Sequence, residues 1–437
     1  MHIPFTKTTL ANGLDVIVHE DRDVPIVAVN IWYHVGSKNE RRGRTGFAHL
    51  FEHLMFEGSE HHPHGYFPPL QDVGGAVNGS TNADRTNYWE VVPTNALDLA
   101  LWMESDRMGH LLPALTDEKF ENQRQVVLNE RRQNYENRPY GLASLALAKG
   151  LYPDDHPYSW PTIGLVDDLL QTHPDEVRAF FSRYYHPANA SLTIAGDVDT
   201  ADAIAKATDC FGDLAPGPAV APVVIPPSAA VGLSATKRLV LEDRVELPRL
   251  YLGWHSPAMF AAGDAEFDVL GDLLANGKTS RLYRLLVHDR RLAVDVAAGQ
   301  ASRELGSCFQ LVSTAAAGVT LAELHAVVLG TLQQVASEGP QDAELTRSRA
   351  QIEAHFLYRL QTVGGFGGKS DQLNAYNVLV GRPDYFDEDL ARYMSVSSEG
   401  VRRAAARCVA EPGVALSVVP RGRLDLGLGD ATPAEVR

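Results

Sequence analysis

Residues 16–32, V-I-V-H-E-D-R-D-V-P-I-V-A-V-N-I-W, are two apolar runs broken by a charged, proline-containing turn, which predicts strand, turn, strand. The pattern returns at 239–254, L-V-L-E-D-R-V-E-L-P-R-L-Y-L-G-W, with E-D-R, a proline soon after and a closing Trp. A helix-length stretch then follows in each place: H-L-F-E-H-L-M-F-E-G (49–58) and D-V-L-G-D-L-L-A-N-G (268–277). Laid side by side, His49 matches Asp268, Glu52 matches Gly271 and His53 matches Asp272, while Leu54 and Gly58 match Leu273 and Gly277. The packing positions repeat and the polar ones do not. This is the mark of a duplication in which one copy alone keeps a polar constellation.

Residues 211–236 are rich in Pro, Ala and Gly and lack helical periodicity, as expected of a semi-rigid linker. The division predicted is therefore a first domain over 1–212, a linker over 213–237 and a homologous second domain over 238–437. A chain of 437 residues exceeds one ordinary core, which agrees with two domains. Strands mixed with long amphipathic helices make each half α+β, a sandwich of helices on a mixed, largely antiparallel sheet.

Composition removes several classes of function. The net charge is −16 with no basic cluster to follow a phosphate backbone, so no nucleic acid partner is expected. The acidity serves solubility, or attracts cationic ligands such as basic peptides. No apolar run reaches eighteen residues, so no membrane span is expected. The opening M-H-I-P-F-T-K-T-T-L has no secretory pattern, which points to the cytoplasm, or to the periplasm if a signal peptide has been removed. Three distant cysteines with no C-x-x-C pair argue against a disulfide framework or a thiolate metal site.

The chemistry centres on H-L-F-E-H at 49–53. Histidines at i and i+4 share one helical face, and Glu52 lies on that face too. Around them stand Phe47, Leu50, Phe51, Leu54, Met55 and Phe56, which predict a buried helix. Unpaired polar groups there would cost several kcal/mol unless hydrogen-bonded or bound to a metal. The order H-x-x-E-H reverses the H-E-x-x-H of zincins. A catalytic zinc takes three protein ligands, so a third is needed. Residues 117–137 read as one helix, started at Thr116 and ended before Pro139, with an inner stripe of Phe120, Gln123, Val127 and Glu130 and with Val126 beside it. Glu130 falls where an apolar residue is expected, and either a metal or an Arg across a helix interface would satisfy it.

His49-x-x-Glu52-His53, followed 77 residues on by Glu130, resembles the pitrilysin/insulinase-type inverzincin peptidases. The short two-domain bacterial branch, similar to the mitochondrial processing peptidase, is the nearest likeness. G-G-A-V-N-G-S-T (74–81), D-R-T-N-Y-W-E-V-V-P (84–93), V-V-L-N-E (126–130), E-N-R-P-Y-G (136–141) and H-P-Y-S-W-P-T-I-G (156–164) carry the resemblance along the chain. It implies one zinc per chain bound by His49, His53 and Glu130, with Glu52 as general base for hydrolysis of a peptide substrate. It also implies that substrate lies extended along an edge strand near Asn78 and Gly79, although Asn-Gly alone reads equally as a tight turn. Many relatives carry a Glu where this chain has Gln123, whose amide is expected to hydrogen-bond a zinc ligand.

Active relatives position substrate with an Arg and a Tyr in the pattern L-R-x-x-x-x-L-[AG]-Y. Here L-V-H-D-R-R-L-A-V (286–294) has Val287 and Val294 at those places. The resemblance therefore implies a heterodimer. A homologous subunit that lacks the zinc motif would supply the Arg and Tyr, and the two chains would enclose a chamber. The rival reading is a non-catalytic core subunit that keeps the fold as scaffold. Three further signals carry no function in this reading. G-G-F-G-G-K-S (364–370) fails the spacing of a phosphate-binding loop, His61, His62 and His64 sit in a solvated loop, and His110 and His156 have no partner at ligand spacing.

Overall fold

The computed structural model describes residues 2–230 and 232–436. The first sheet is built from β1 (Thr6–Thr9), β2 (Asp15–Glu20), β3 (Ile26–Tyr33), β4 (Ala76–Thr81), β5 (Thr86–Pro93) and β6 (Ala190–Gly196), in the order β1-β2-β6-β3-β5-β4. The second is built from β7 (Lys237–Asp243), β8 (Arg249–Ser256), β9 (Ala293–Ala301), β10 (Ser307–Ala315), β11 (Val414–Pro420) and β12 (Thr432–Pro433), in the order β12-β7-β11-β8-β10-β9. Five strands of each follow one plan: β2-β6-β3-β5-β4 corresponds to β7-β11-β8-β10-β9. In both, the first strand pairs parallel with the last, β2 with β6 and β7 with β11, and the other pairs of the five are antiparallel. The repeated E-D-R turn thus lies between two strands that a third separates in space.

β3 shows why these segments are strands. I-V-A-V-N-I-W-Y is rich in β-branched and aromatic residues, and all but its first residue is buried, as suits a central strand covered on both faces. Asn30 is the polar exception, and it is fully buried.

The chain forms two compact units, each drawn from three segments. The first comprises the chain up to Asn129, Pro161–Val224 and His355–Glu388. The second comprises Glu130–Trp160, Ile225–Ala354 and the chain from Asp389. This differs from an undivided 1–212 and 238–437. Helix Lys369–Val380, from late in the chain, packs on β2, β3 and β6 of the first sheet. Its buried Asn374 accepts from the hydroxyls of Ser191 and Thr193, each at 2.8 Å, and donates to the Asn30 carbonyl at 2.8 Å. Helix Ala143–Leu151, from early in the chain, packs on β7, β8 and β11. Gly253 permits that approach, since a Cβ there would stand 3.1 Å from Leu147 and Leu151.

The glycine run at 364–370 serves packing. A Cβ on Gly364 would come within 2.7 Å of Ala28 and closer still to Val91, and Lys369 is bound to Asp21. The helix expected over 117–137 is α-helical over Asp117–Arg131 and then opens into a π-helical turn, Arg132–Glu136. Val126 is 43% exposed, so the inner stripe runs through Phe120, Val127 and Leu128 instead, with Gln123 and Glu130 at its half-buried edge. At the position matching His49, Asp268 accepts from the Tyr393 hydroxyl at 2.8 Å, and burial pushes its carboxyl up to about 7. The second copy has turned that site into a packing contact.

Candidate metal centre

The H-x-x-E-H helix spans Phe47–Leu54. Phe47, Ala48, Leu50, Phe51 and Leu54 are buried, and Phe51 meets the rings of Phe181 and Tyr185 at 5.3 Å each. His49, Glu52 and His53 occupy the opposite, partly buried face, so the helix is less enclosed than its apolar neighbours suggest. Its N-terminus enters from Gly46 at φ 89°, a conformation that favours glycine. The Glu40 carboxyl accepts the amides of Gly46 at 2.8 Å and Ala48 at 2.9 Å, capping two donors at the helix start. Burial nevertheless pushes Glu40 up to about 8 against the pull of those amides. At the back, the Tyr88 hydroxyl donates to the Phe51 carbonyl at 3.3 Å and the Tyr185 hydroxyl to that of Ala48 at 3.4 Å.

The rings of His49 and His53 lie edge to face at 4.8 Å. Glu130 arrives on the last turn of helix Asp117–Arg131, a single rod whose other turns belong to the first unit. The side chains of Lys119 and Gln123 fix that rod to the segment after the H-x-x-E-H helix: Lys119 donates to the Glu57 carbonyl at 2.9 Å and Gln123 to the Glu57 carboxylate. Each of His49, His53 and Glu130 offers one donor atom, and the three donors lie within 4.8 Å of one another. Two imidazoles and a carboxylate are the donor set of a catalytic zinc, and donors gathered this closely can share one ion. The residues present fit the metal.

Gln123 thus binds Glu57, not a member of the donor set, which corrects the contact expected from the sequence. Asn134 is the residue that reading missed. Its amide donates to Oε1 of Glu130 at 3.2 Å from within the π-helical turn, a distortion frequent at functional sites. Nothing in the sequence periodicity marks such a turn.

Glu52 lies within electrostatic reach of Arg85, Tyr88 and Tyr185. The Arg85 guanidinium is held by the Ser80 carbonyl at 2.8 Å and hydroxyl at 2.7 Å, with the Trp32 ring 5.1 Å away. Burial lowers its affinity for the proton, and the charges of Asp371, Glu52 and Asp84 offset that only in part. Asn78 and Gly79 sit in the middle of β4, at the edge of the first sheet, opposite Trp89 and Tyr88; they do not form a turn. A Cβ on Gly79 would come 2.9 Å from Tyr88 and 3.1 Å from Phe56, so crowding requires glycine there. In the second unit, Val287 packs against the hydrophobic core, while Val294, at the start of edge strand β9, is 53% exposed. Among the described residues no helix is long and apolar enough to cross a membrane.

Residues 15–153 match the family described as insulinase (peptidase family M16), and residues 173–352 match its companion, the peptidase M16 inactive domain. Zinc protease PqqE of Helicobacter pylori is 29% identical over 87% of this chain and 85% of that protein. The zinc protease YmxG of Bacillus subtilis is 23% identical over 96% and 99%. The crystal structure of a protease from Helicobacter pylori superposes with a TM-score of 0.83 at 25% identity, covering 95% of this chain and all of that one. A peptidase M16 inactive domain structure from Pseudomonas fluorescens, 18% identical, shares the fold with a TM-score of 0.83.

Proposed function

Since the chain belongs to the insulinase family of peptidases, M16, we propose that it is a zinc-dependent endopeptidase whose own residues hold the metal and the general base. The observation that carries this reading is the convergence of His49, His53 and Glu130 donors within 4.8 Å, with Glu52 on the same helical face. Zinc, when bound there, acidifies a water and polarises a carbonyl. Glu52 takes a proton from the attacking water as the new C–O bond forms, and delivers it to the amine nitrogen as the peptide C–N bond breaks. Arg85 keeps a positive charge near Glu52, which favours the ionised carboxylate that a base needs. Edge strand β4 offers its free side to an extended peptide, with Asn78 and Gly79 at its centre.

The chain works as one half of a heterodimer in this reading. Val287 and Val294 cannot donate a hydrogen bond to a substrate carbonyl or a developing oxyanion. A homologous subunit would bring the Arg and Tyr that position substrate, and the two chains would enclose the chamber. The decisive experiment is metal analysis of the purified protein, together with cleavage of an unstructured fluorogenic peptide with and without chelator. Zinc that His49→Ala removes, together with chelator-sensitive cleavage, supports the proposal. Cleavage that survives chelation refutes the proposal, and a protein that binds no zinc and cleaves nothing favours the scaffold reading.

A further inference from the structure

The loop after the H-x-x-E-H helix and the far end of helix Leu97–Ala114 bring together a second set of metal-ligating side chains. Glu60, His61 and His110 each offer a donor atom, and the three donors lie within 4.8 Å of one another. His110, which shows no partner at ligand spacing in the sequence, acquires two through the fold.

Several features hold the set in place. At His110 the helix departs from helical dihedrals, with φ −129° and ψ 21°. The kink lets the His110 carbonyl accept the Glu60 amide at 3.0 Å. Nδ1 of His110 then stands 3.3 Å from the Glu60 carboxylate, and its ring meets that of His61 edge-on at 4.7 Å. His61 is oriented through Nδ1 by Oδ1 of Asp106 at 2.6 Å. Asp106 is itself only 4% exposed, and its other oxygen takes the Ser59 hydroxyl. With Nδ1 committed to a buried carboxylate, Nε2 is the His61 nitrogen left for a metal, the carboxylate–histidine relay common around bound zinc.

We propose that Glu60, His61 and His110 form an auxiliary site for one divalent transition cation, separate from the His49–His53–Glu130 set. Two imidazoles and a carboxylate select zinc, cobalt or nickel over magnesium and calcium, which prefer oxygen donors alone. A cation there would staple the 59–65 loop, which leaves the H-x-x-E-H helix, to helix Leu97–Ala114.

The test titrates cobalt and zinc into the whole chain after metal removal, reading stoichiometry by competition with a chromophoric chelator and by cobalt absorption. Wild type should bind two equivalents. The double variant His61→Ala/His110→Gln should bind one, and His49→Ala should keep the auxiliary ion while losing the other. Asp106→Asn should weaken the auxiliary ion about tenfold and leave the first unaffected. Circular dichroism checks folding, and the single His110→Gln, which keeps the backbone contact to Glu60, replaces the double variant if that one unfolds. One equivalent in wild type that the folded His110 variants retain, or two in those variants, overturns the site.

Discussion

Asn134 donates its side-chain amide to Oε1 of Glu130 at 3.2 Å, from the first turn beyond the α-helix that ends at Arg131. A carboxylate so oriented loses less freedom on binding a metal. Asn134→Ala should therefore weaken zinc roughly tenfold. Glu130→Gln should weaken it much further, whereas Gln123→Ala, which removes a contact to Glu57, should leave zinc largely in place. Competition with a chelator of known affinity ranks the three. Zinc retained in full by Glu130→Gln would send the search for a third ligand elsewhere.

Glu52 is assigned a proton, not a metal. Glu52→Gln should keep its zinc by elemental analysis and lose at least about 100-fold in kcat. Equal loss of zinc in this variant would mean that the roles within 49–53 are wrongly divided.

The capping carboxylate gives a pH signature. Glu40 rises from 4.5 to about 8 in the fold, so the folded state holds its proton more tightly than the unfolded chain does. The stabilisation is complete below about pH 4.5 and is lost as pH rises through about 8. Glu40→Gln cannot titrate and keeps an acceptor for the helix start. Its melting temperature, compared with wild type across that range, should gain steadily as pH rises and level off above about 8. Parallel curves would show that Glu40 stays ionised throughout.

The partner is tested by addition. Purified alone, the chain should hydrolyse an unstructured peptide slowly. A homologous subunit bearing the Arg and Tyr should activate it strongly, and mutation of either residue in that subunit should abolish the gain. One lost donor to a developing oxyanion is often worth roughly 3 kcal/mol, more than 100-fold in rate. Full activity of the isolated monomer would dismiss the heterodimer.

Much of this was legible in the sequence where the signal is local. Strands alternating around E-D-R, the duplicated helix and the spacing of His49, Glu52, His53 and Glu130 each lie within a short window or a motif. What escaped depends on distance along the chain or on backbone distortion. An amphipathic helix announces an apolar face but not which sheet it covers, so helices 143–151 and 369–380 read as belonging to their own halves. Asn374 looks like a surface residue until Ser191, Thr193 and Asn30 close around it. Val126 and Leu128 are equally apolar, and the pitch of the helix decides between them. His110 reaches Glu60 through a kink that no helix propensity foretells.

The crossing of those two helices ties the order of synthesis to the order of folding. Thr193 and the Asn374 that completes its hydrogen bonding are 181 residues apart. A nascent chain that has emerged as far as the Pro-rich stretch carries every strand of its first sheet, yet β2, β3 and β6 still lack the helix that covers them. Asn30, Ser191 and Thr193 would face solvent or the wrong neighbour for the time it takes to translate the rest. Cutting the gene after residue 212 would make that interval permanent: the H-x-x-E-H motif would remain, on a sheet whose Asn30, Ser191 and Thr193 have lost the helix that covers them, and such a fragment should aggregate where the full chain stays soluble.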